Sequence, residues 1–118
     1  MKLEVGMYVR HKPLLSSKYV KINKIKEIEE KENCLHIWLE DKDLITEKYL
    51  IKASYSIIDI LEVGDYVNGS PICSFKTDEK DRIWIYTDSN YKCGYLENEI
   101  KTIVTHEQME QMAYKVDE

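Results

Sequence analysis

The chain has 118 residues, 43% of them hydrophobic, and a formal net charge of −5. That length buries roughly two thirds of the surface an unfolded chain exposes, in one domain or two very small ones. No window approaches the run of about 20 apolar residues that crosses a bilayer, and the opening MKLEVGMYVR alternates like a strand, so a cytoplasmic protein without a membrane partner is expected. The acidic balance makes nucleic acid an unlikely partner, since a dedicated binder needs clustered cations to displace counterions from phosphates. The charge is uneven: residues 1–56 carry 11 Lys and Arg against 9 Asp and Glu, whereas residues 57–118 carry 6 against 13. The acidic half suits a protein partner with a basic surface.

In chain order, LEVGMYVR at 3–10 is answered by LEVGDYVN at 61–68. Each reads as a short strand, with Gly6 and Gly64 at a sharp bend or bulge, because glycine adopts strained backbone freely. A second strand follows in each half, then a charged turn (EKEN, TDEKD), a strand centred on tryptophan (HIWLED, RIWIYTD), a variable loop and a short strand ending in Ile-Lys. On this alignment Trp38 answers Trp84, Ile51-Lys52 answers Ile100-Lys101, and the second copy carries a deletion. Short strands rich in β-branched and aromatic residues, divided by polar turns, predict a mainly β fold. The expected form is two tandem SH3-like barrel repeats, residues 1–56 and 57–118. The end of the chain departs from the repeat. Thr105 and Gln108 have capping-box spacing, and Met109, Met112 and Ala113 fall on one face. They predict a short C-terminal helix at about 105–112 lying over a barrel end, with AYKV able to return as a last strand.

Recognisable reaction chemistry is missing. Cys34, Cys73 and Cys93 are odd in number and widely spaced, which reads as buried or half-buried thiols. His11, His36 and His106 make no metal-binding pair, so neither a metal nor another cofactor is expected. The four glycines form no phosphate loop, no GxSxG elbow is present, and the carboxylates of EIEEKE, EDKD and TDEKD read as solvated turns. A non-enzymatic binding module is the resulting expectation.

Strand parity sharpens it. In CLHIWL, Leu35, Ile37 and Leu39 point one way and Cys34, His36 and Trp38 the other. In RIWIY, Ile83 and Ile85 oppose Arg82, Trp84 and Tyr86. Each tryptophan lies opposite the aliphatic face and needs a covering surface: the other repeat, another copy in a homodimer or higher homo-oligomer, or a ligand. Arg10 and Arg82 are the only arginines, and aromatics with arginine dominate interface energetics. The candidate binding residues are therefore Arg10, His36, Trp38, Arg82, Trp84 and Tyr86. Between the two opening motifs Met7 and Arg10 become Asp65 and Asn68, and such divergent positions are where function is expected.

LEVGMYVR, IKASYSIIDILEVGDYVNG and NEIKTIVTHEQMEQMAYKV together resemble a family of small proteins encoded by phages and prophages of Firmicutes such as clostridia. The resemblance brings no catalytic residues with it. It implies an accessory protein acting in the cytoplasm of an infected bacterium against host immunity. The partner would be a host defence protein, such as a CRISPR effector, or a nucleotide immune signal held by Trp or Tyr stacking and a basic side chain. Two other readings stand beside it. One is a nucleic-acid-associated SH3-like module, suggested by Lys18, Lys21, Lys24 and Lys26, although their interleaving with apolar residues also fits a strand with a solvated face. The other is a structural adaptor of the phage particle.

Overall fold

The computed structural model describes residues 2–12 and 20–112. It is mainly β and divides into two compact units, Met1–Leu61 and Glu62–Glu118. Lys18 and the AYKV segment lie outside the described residues. Among those residues no helix is long and apolar enough to cross a membrane.

The first unit contains β1 (Tyr8–His11), β2 (Lys21–Lys31), β3 (Cys34–Leu39), β4 (Leu44–Thr46), a 3-10 turn at Glu47–Tyr49, β5 (Leu50–Ser54) and a second 3-10 turn at Ile57–Ile60. The second contains β6 (Tyr66–Val67), β7 (Ser70–Thr77), β8 (Ile83–Thr87), β9 (Asn90–Tyr95), a 3-10 turn at Glu97–Glu99, β10 (Ile103–Val104) and the helix α1 (His106–Met112). One five-stranded sheet runs β4-β3-β2-β1-β5 and the other β9-β8-β7-β6-β10, with antiparallel pairing throughout. The strand order is thus the same in both. Pairing does not run on from β4 to β5 or from β9 to β10, so each sheet is open where closed barrels were expected.

The shared octapeptide has a shared physical cause. Met7 N–H donates to the Glu4 carbonyl at 3.3 Å and Asp65 N–H to the Glu62 carbonyl at 3.0 Å. Each closes a four-residue turn whose third residue is glycine, at φ +94° for Gly6 and +98° for Gly64. That is the backbone a type II turn demands, and glycine adopts it without a Cβ penalty. Gly6 and Gly64 therefore sit in turns ahead of β1 and β6, and not at bends within those strands. The following ladder also repeats: Gly6 N–H donates to Ile25 O and Ile25 N–H to Met7 O, as Gly64 N–H does to Ile72 O and Ile72 N–H to Asp65 O.

The register corrects the sequence alignment. Ile25 pairs with Leu39, a bulge follows, and Glu27, Ile28 and Glu29 then pair with Trp38, Ile37 and His36. In the second unit Ile72 pairs with Thr87, a bulge follows, and Ser74, Phe75 and Lys76 pair with Tyr86, Ile85 and Trp84. Trp38 thus corresponds to Tyr86, and Trp84 to His36, two positions away from a tryptophan-to-tryptophan match. Likewise Ala53, opposite Val9, corresponds to Ile103, opposite Val67, so Ile51-Lys52 falls on Lys101-Thr102.

The cores are unequal. Met7, Val9, Ile25, Ile37, Leu39 and Ile45 form the buried cluster of the first unit, with Leu3, Ile28, Leu35, Tyr49, Leu50 and Ala53 packed against it. At about 1.5 to 3 kcal/mol for each fully buried aliphatic side chain, this is its principal stabilising term. Among the described residues the second unit buries Val67, Ile72 and Ile85, and with them Asp65, Ser70, Thr87 and Thr105. Asp65 is the hub, accepting from Glu62 N–H at 2.8 Å through one oxygen and from His106 N–H at 2.9 Å through the other. In the first unit the Met7 thioether accepts from Glu4 N–H at 3.2 Å, a weaker version of half that role.

The helix starts as its spacing predicts. Thr105 Oγ1 accepts from Gln108 N–H at 3.1 Å, and Gln108 Oε1 accepts from Thr105 N–H at 2.9 Å, the reciprocal capping box.

Candidate functional site

The β7–β8 hairpin gathers three of the residues singled out from the sequence. Its turn is organised by Asp78. One carboxylate oxygen accepts from the backbone N–H groups of Lys80 at 2.8 Å and Arg82 at 3.0 Å. The other accepts from Arg82 Nε at 2.8 Å and from the Trp84 indole Nε1 at 2.9 Å. Asp81, at φ +60°, completes a turn of the kind aspartate nucleates by bonding backbone ahead of it. The Trp84 indole bond, opposed by desolvation and reinforced by the Arg82 and Lys80 donors, holds the Asp78 carboxyl well below the usual carboxylate range. Asp78 is therefore ionised throughout the physiological range, and it clamps a cation and an indole together.

Parity then builds a face. Lys76 is directly opposite Trp84, and Ser74 opposite Tyr86, so Ser74, Lys76, Arg82, Trp84 and Tyr86 share the side turned away from Ile83 and Ile85. The Arg82 guanidinium lies 5.6 Å from the Trp84 ring centroid and the Lys76 ammonium 5.2 Å from that of Tyr86. Both are cation–π distances. Lys76 and Arg82 are exposed, while the rings are half-buried. Gly94 of β9 lies beneath Tyr86: a Cβ there would stand 3.2 Å from the ring and 3.2 Å from the Ile85 carbonyl. The result is a preset apolar patch bordered by two cations.

His36 and Trp38 lie on the corresponding face of the first unit, with Glu27 and Glu29 opposite them on β2 and Leu44 and Thr46 opposite them on β4. Trp38 and Leu44 are each 37% exposed. Arg10 joins neither face. Its side chain is fully buried and its Nη1 donates to the Ile60 carbonyl at 3.3 Å, so it serves the interior of the first unit and no surface partner reaches it in this conformation.

The divergent opening positions are structural as well. Met7 is in the core, Asp65 joins turn to helix, and Asn68 ties the last strand of its unit. Asn68 Oδ1 accepts from Lys101 N–H at 2.7 Å and Thr102 N–H at 3.2 Å, while its amide donates to Glu99 O at 3.1 Å. With Gly69 it also forms the two-residue turn of β6–β7, at φ +52° and +84°, the pairing typical of a tight hairpin.

Two groups escaped the sequence reading. Asp78 sits in the TDEKD turn read as solvated and Lys76 on the strand before it, and only the register brings Lys76 opposite Trp84. The second group surrounds His106, whose Nε2 lies 3.2 Å from Glu62 Oε1 and 3.0 Å from Glu107 Oε1. Ligand-type atoms of Asp65, His106 and Glu107 lie within 4.8 Å of one another. These are the described residues that could hold a cation, although both Asp65 oxygens already accept backbone N–H groups. The first unit has a counterpart without histidine, in which Tyr55 OH donates to Glu4 Oε2 at 2.9 Å and its ring stands over Gly6. Cys34 is half-buried as expected, whereas Cys73 and Cys93 are exposed. Cys73 Sγ donates to Asp88 Oδ1 at 2.6 Å, which raises the thiol pKa.

Comparison with family models, with curated proteins and with solved structures finds no match to this chain.

Proposed function

We propose that the chain is a non-enzymatic binding protein of phage origin that counters bacterial defence, with the β7–β8 face as its recognition surface. The observation that carries this reading is the clamp: one aspartate fixes Arg82 and Trp84, with Lys76 over Tyr86 beside them. A recognition surface gains affinity when its side chains are ordered before binding, since less entropy is lost on association. Aromatic and arginine side chains are also the types that dominate measured binding energy.

Although residues 57–118 are acidic as a whole, the β7–β8 face presents Lys76 and Arg82. The host target it suits is therefore an acidic surface on a defence protein such as a CRISPR effector, in place of the basic surface expected from net charge. A nucleotide immune signal is the less favoured ligand, because a cation already stands over each ring and base stacking would have to displace it. The shared strand order, the 3-10 turn before each last strand and the paired glycine turns support an SH3-like unit present twice by tandem duplication. The phage resemblance supports action in the cytoplasm of the infected cell.

Two measurements test the reading. Titration calorimetry against a panel of cyclic nucleotides and ADP-ribose signals is expected to show no heat of binding, and tight binding there would replace the protein target by a signal molecule. Expression in a CRISPR-defended host is expected to restore phage infection. Failure against every defence system tried, together with no binding in calorimetry, refutes the proposal.

A further inference from the structure

Of the chain's asparagines, Asn68 alone is followed by glycine. In such a pair the glycine nitrogen can reach the asparagine side-chain carbonyl carbon unhindered, because the glycine has no Cβ to stand in the way. Gly69 is exposed, and a Cβ built on it meets nothing within 4 Å, so its surroundings add no obstacle. The Asn68 side chain, however, is held elsewhere. Its Oδ1 accepts from Lys101 N–H at 2.7 Å and Thr102 N–H at 3.2 Å, and its amide donates to the Glu99 carbonyl at 3.1 Å. The Asn68 backbone N–H adds a bond to the Thr102 carbonyl at 3.0 Å. β10 itself pairs with β6 through two residues, Ile103 opposite Val67 and Val104 opposite Tyr66. Side chain and backbone of one asparagine thus dock residues 99–102 beside a very short ladder.

We infer that Asn68 is a deamidation site controlled by β10, shielded while residues 99–104 are docked and reactive once they lift away. In the reaction the Gly69 nitrogen attacks Asn68 Cγ and gives up its proton, the Cγ–Nδ2 bond breaks, and ammonia departs to leave a five-membered succinimide. Water then opens the ring at one of its two carbonyls, giving aspartate or, with the backbone rerouted through Cβ, isoaspartate. Docking blocks the first step, because Cγ cannot turn onto the Gly69 nitrogen without surrendering the three side-chain hydrogen bonds. The product blocks the return. Aspartate replaces the donor that faces the Glu99 carbonyl by an anionic oxygen, setting acceptor against acceptor. Isoaspartate lengthens a turn whose two-residue geometry fixes the β6–β7 register. The opening of β10 is thereby made permanent, and α1, which follows β10 directly and is anchored through Asp65, is loosened with it. The β7–β8 face takes no part, so the inference stands apart from any host target.

The test follows the conversion of Asn68 by peptide mass spectrometry, on the full chain incubated at mildly alkaline pH. The folded chain is expected to react about a hundredfold more slowly than the chain unfolded in guanidinium chloride, the ratio that three hydrogen bonds of ordinary net worth sustain. Ile103→Ala with Val104→Ala truncates two half-buried side chains of β10 and leaves Asn68 untouched; it is expected to raise the folded rate about tenfold. If that variant fails to fold, wild type in guanidinium chloride below its unfolding transition serves instead, with Asn68 reacting faster while near-ultraviolet circular dichroism stays native. Asn68→Asp reproduces one product and is expected to speed amide hydrogen exchange over residues 99–112. Folded wild type that reacts as fast as the unfolded chain overturns the inference. So does a loosened chain that reacts no faster than wild type, or an Asn68→Asp chain whose exchange is unchanged.

Discussion

Gly94→Ala probes the support beneath the recognition face. Gly94 has φ +71°, and an alanine held there costs about 1 to 2 kcal/mol from the clash of Cβ with its own backbone. The new Cβ also meets the Ile85 carbonyl and the Tyr86 ring at 3.2 Å. The carbonyl belongs to the β8 ladder and yields little, so the ring shifts by a few tenths of an ångström, adding about 1 kcal/mol of overpacking. Gly69→Ala is the control: its φ is +84°, but a Cβ there meets nothing within 4 Å, which leaves the backbone cost alone. Urea unfolding followed by fluorescence in a Trp38→Phe background reports the second unit, since the chain has only two tryptophans. The expected losses are about 2 to 3 kcal/mol for Gly94→Ala and about 1 to 2 kcal/mol for Gly69→Ala. Gly94→Ala no more costly than Gly69→Ala refutes the argument that Tyr86 is held against the β9 backbone.

Asp78→Asn gives a pH signature. The folded-state pKa lies below the ordinary 3.8, so the stability the carboxylate contributes is fully present above that ordinary value and is lost as pH falls through the folded one. The stability gap between wild type and Asp78→Asn should hold steady from pH 7 to about 4 and close only on further acidification; a gap that closes above pH 5 contradicts the clamp. Asp65→Ala orphans two backbone N–H groups around a fully buried site and is expected to cost about 3 kcal/mol, measured by denaturant unfolding, with a loss under about 1 kcal/mol counting against the hub. Thr105→Ala removes one half of the capping box and is expected to cost about 1 kcal/mol, visible as lost helical signal in circular dichroism. The Tyr55 phenol, raised chiefly by its hydrogen bond to Glu4, should return towards 10 in Glu4→Gln when followed by ultraviolet absorbance.

The sequence carried the local rules well. LEVG could be read as a repeated backbone need because only glycine supplies its left-handed φ at no cost. The capping box could be read because Thr105 and Gln108 satisfy each other within one turn. Parity turned Trp38, Trp84 and Tyr86 away from Ile37 and Ile85 because side chains alternate whatever the partner strand. Register was not legible. Matching tryptophan to tryptophan ignores which residue each strand pairs, and the hydrogen bonds of Ile25 and Ile72 set a different correspondence. Arg10 misled for a related reason: arginine is usually exposed, and nothing local announces that a carbonyl 50 residues away will receive it. Asp78 was hidden because a charged turn looks solvated until its acceptor role towards an indole six residues on is seen.

Restoration of phage infection in a CRISPR-defended bacterium tests the central claim most directly. Efficiency of plating is compared between cells expressing wild type and cells expressing Lys76→Glu with Arg82→Gln, both at equal soluble level. The account predicts that wild type raises plating by orders of magnitude and that the variant does not. Equal, raised plating for the two contradicts it, as does wild-type plating that stays at the defended background against every defence system tried.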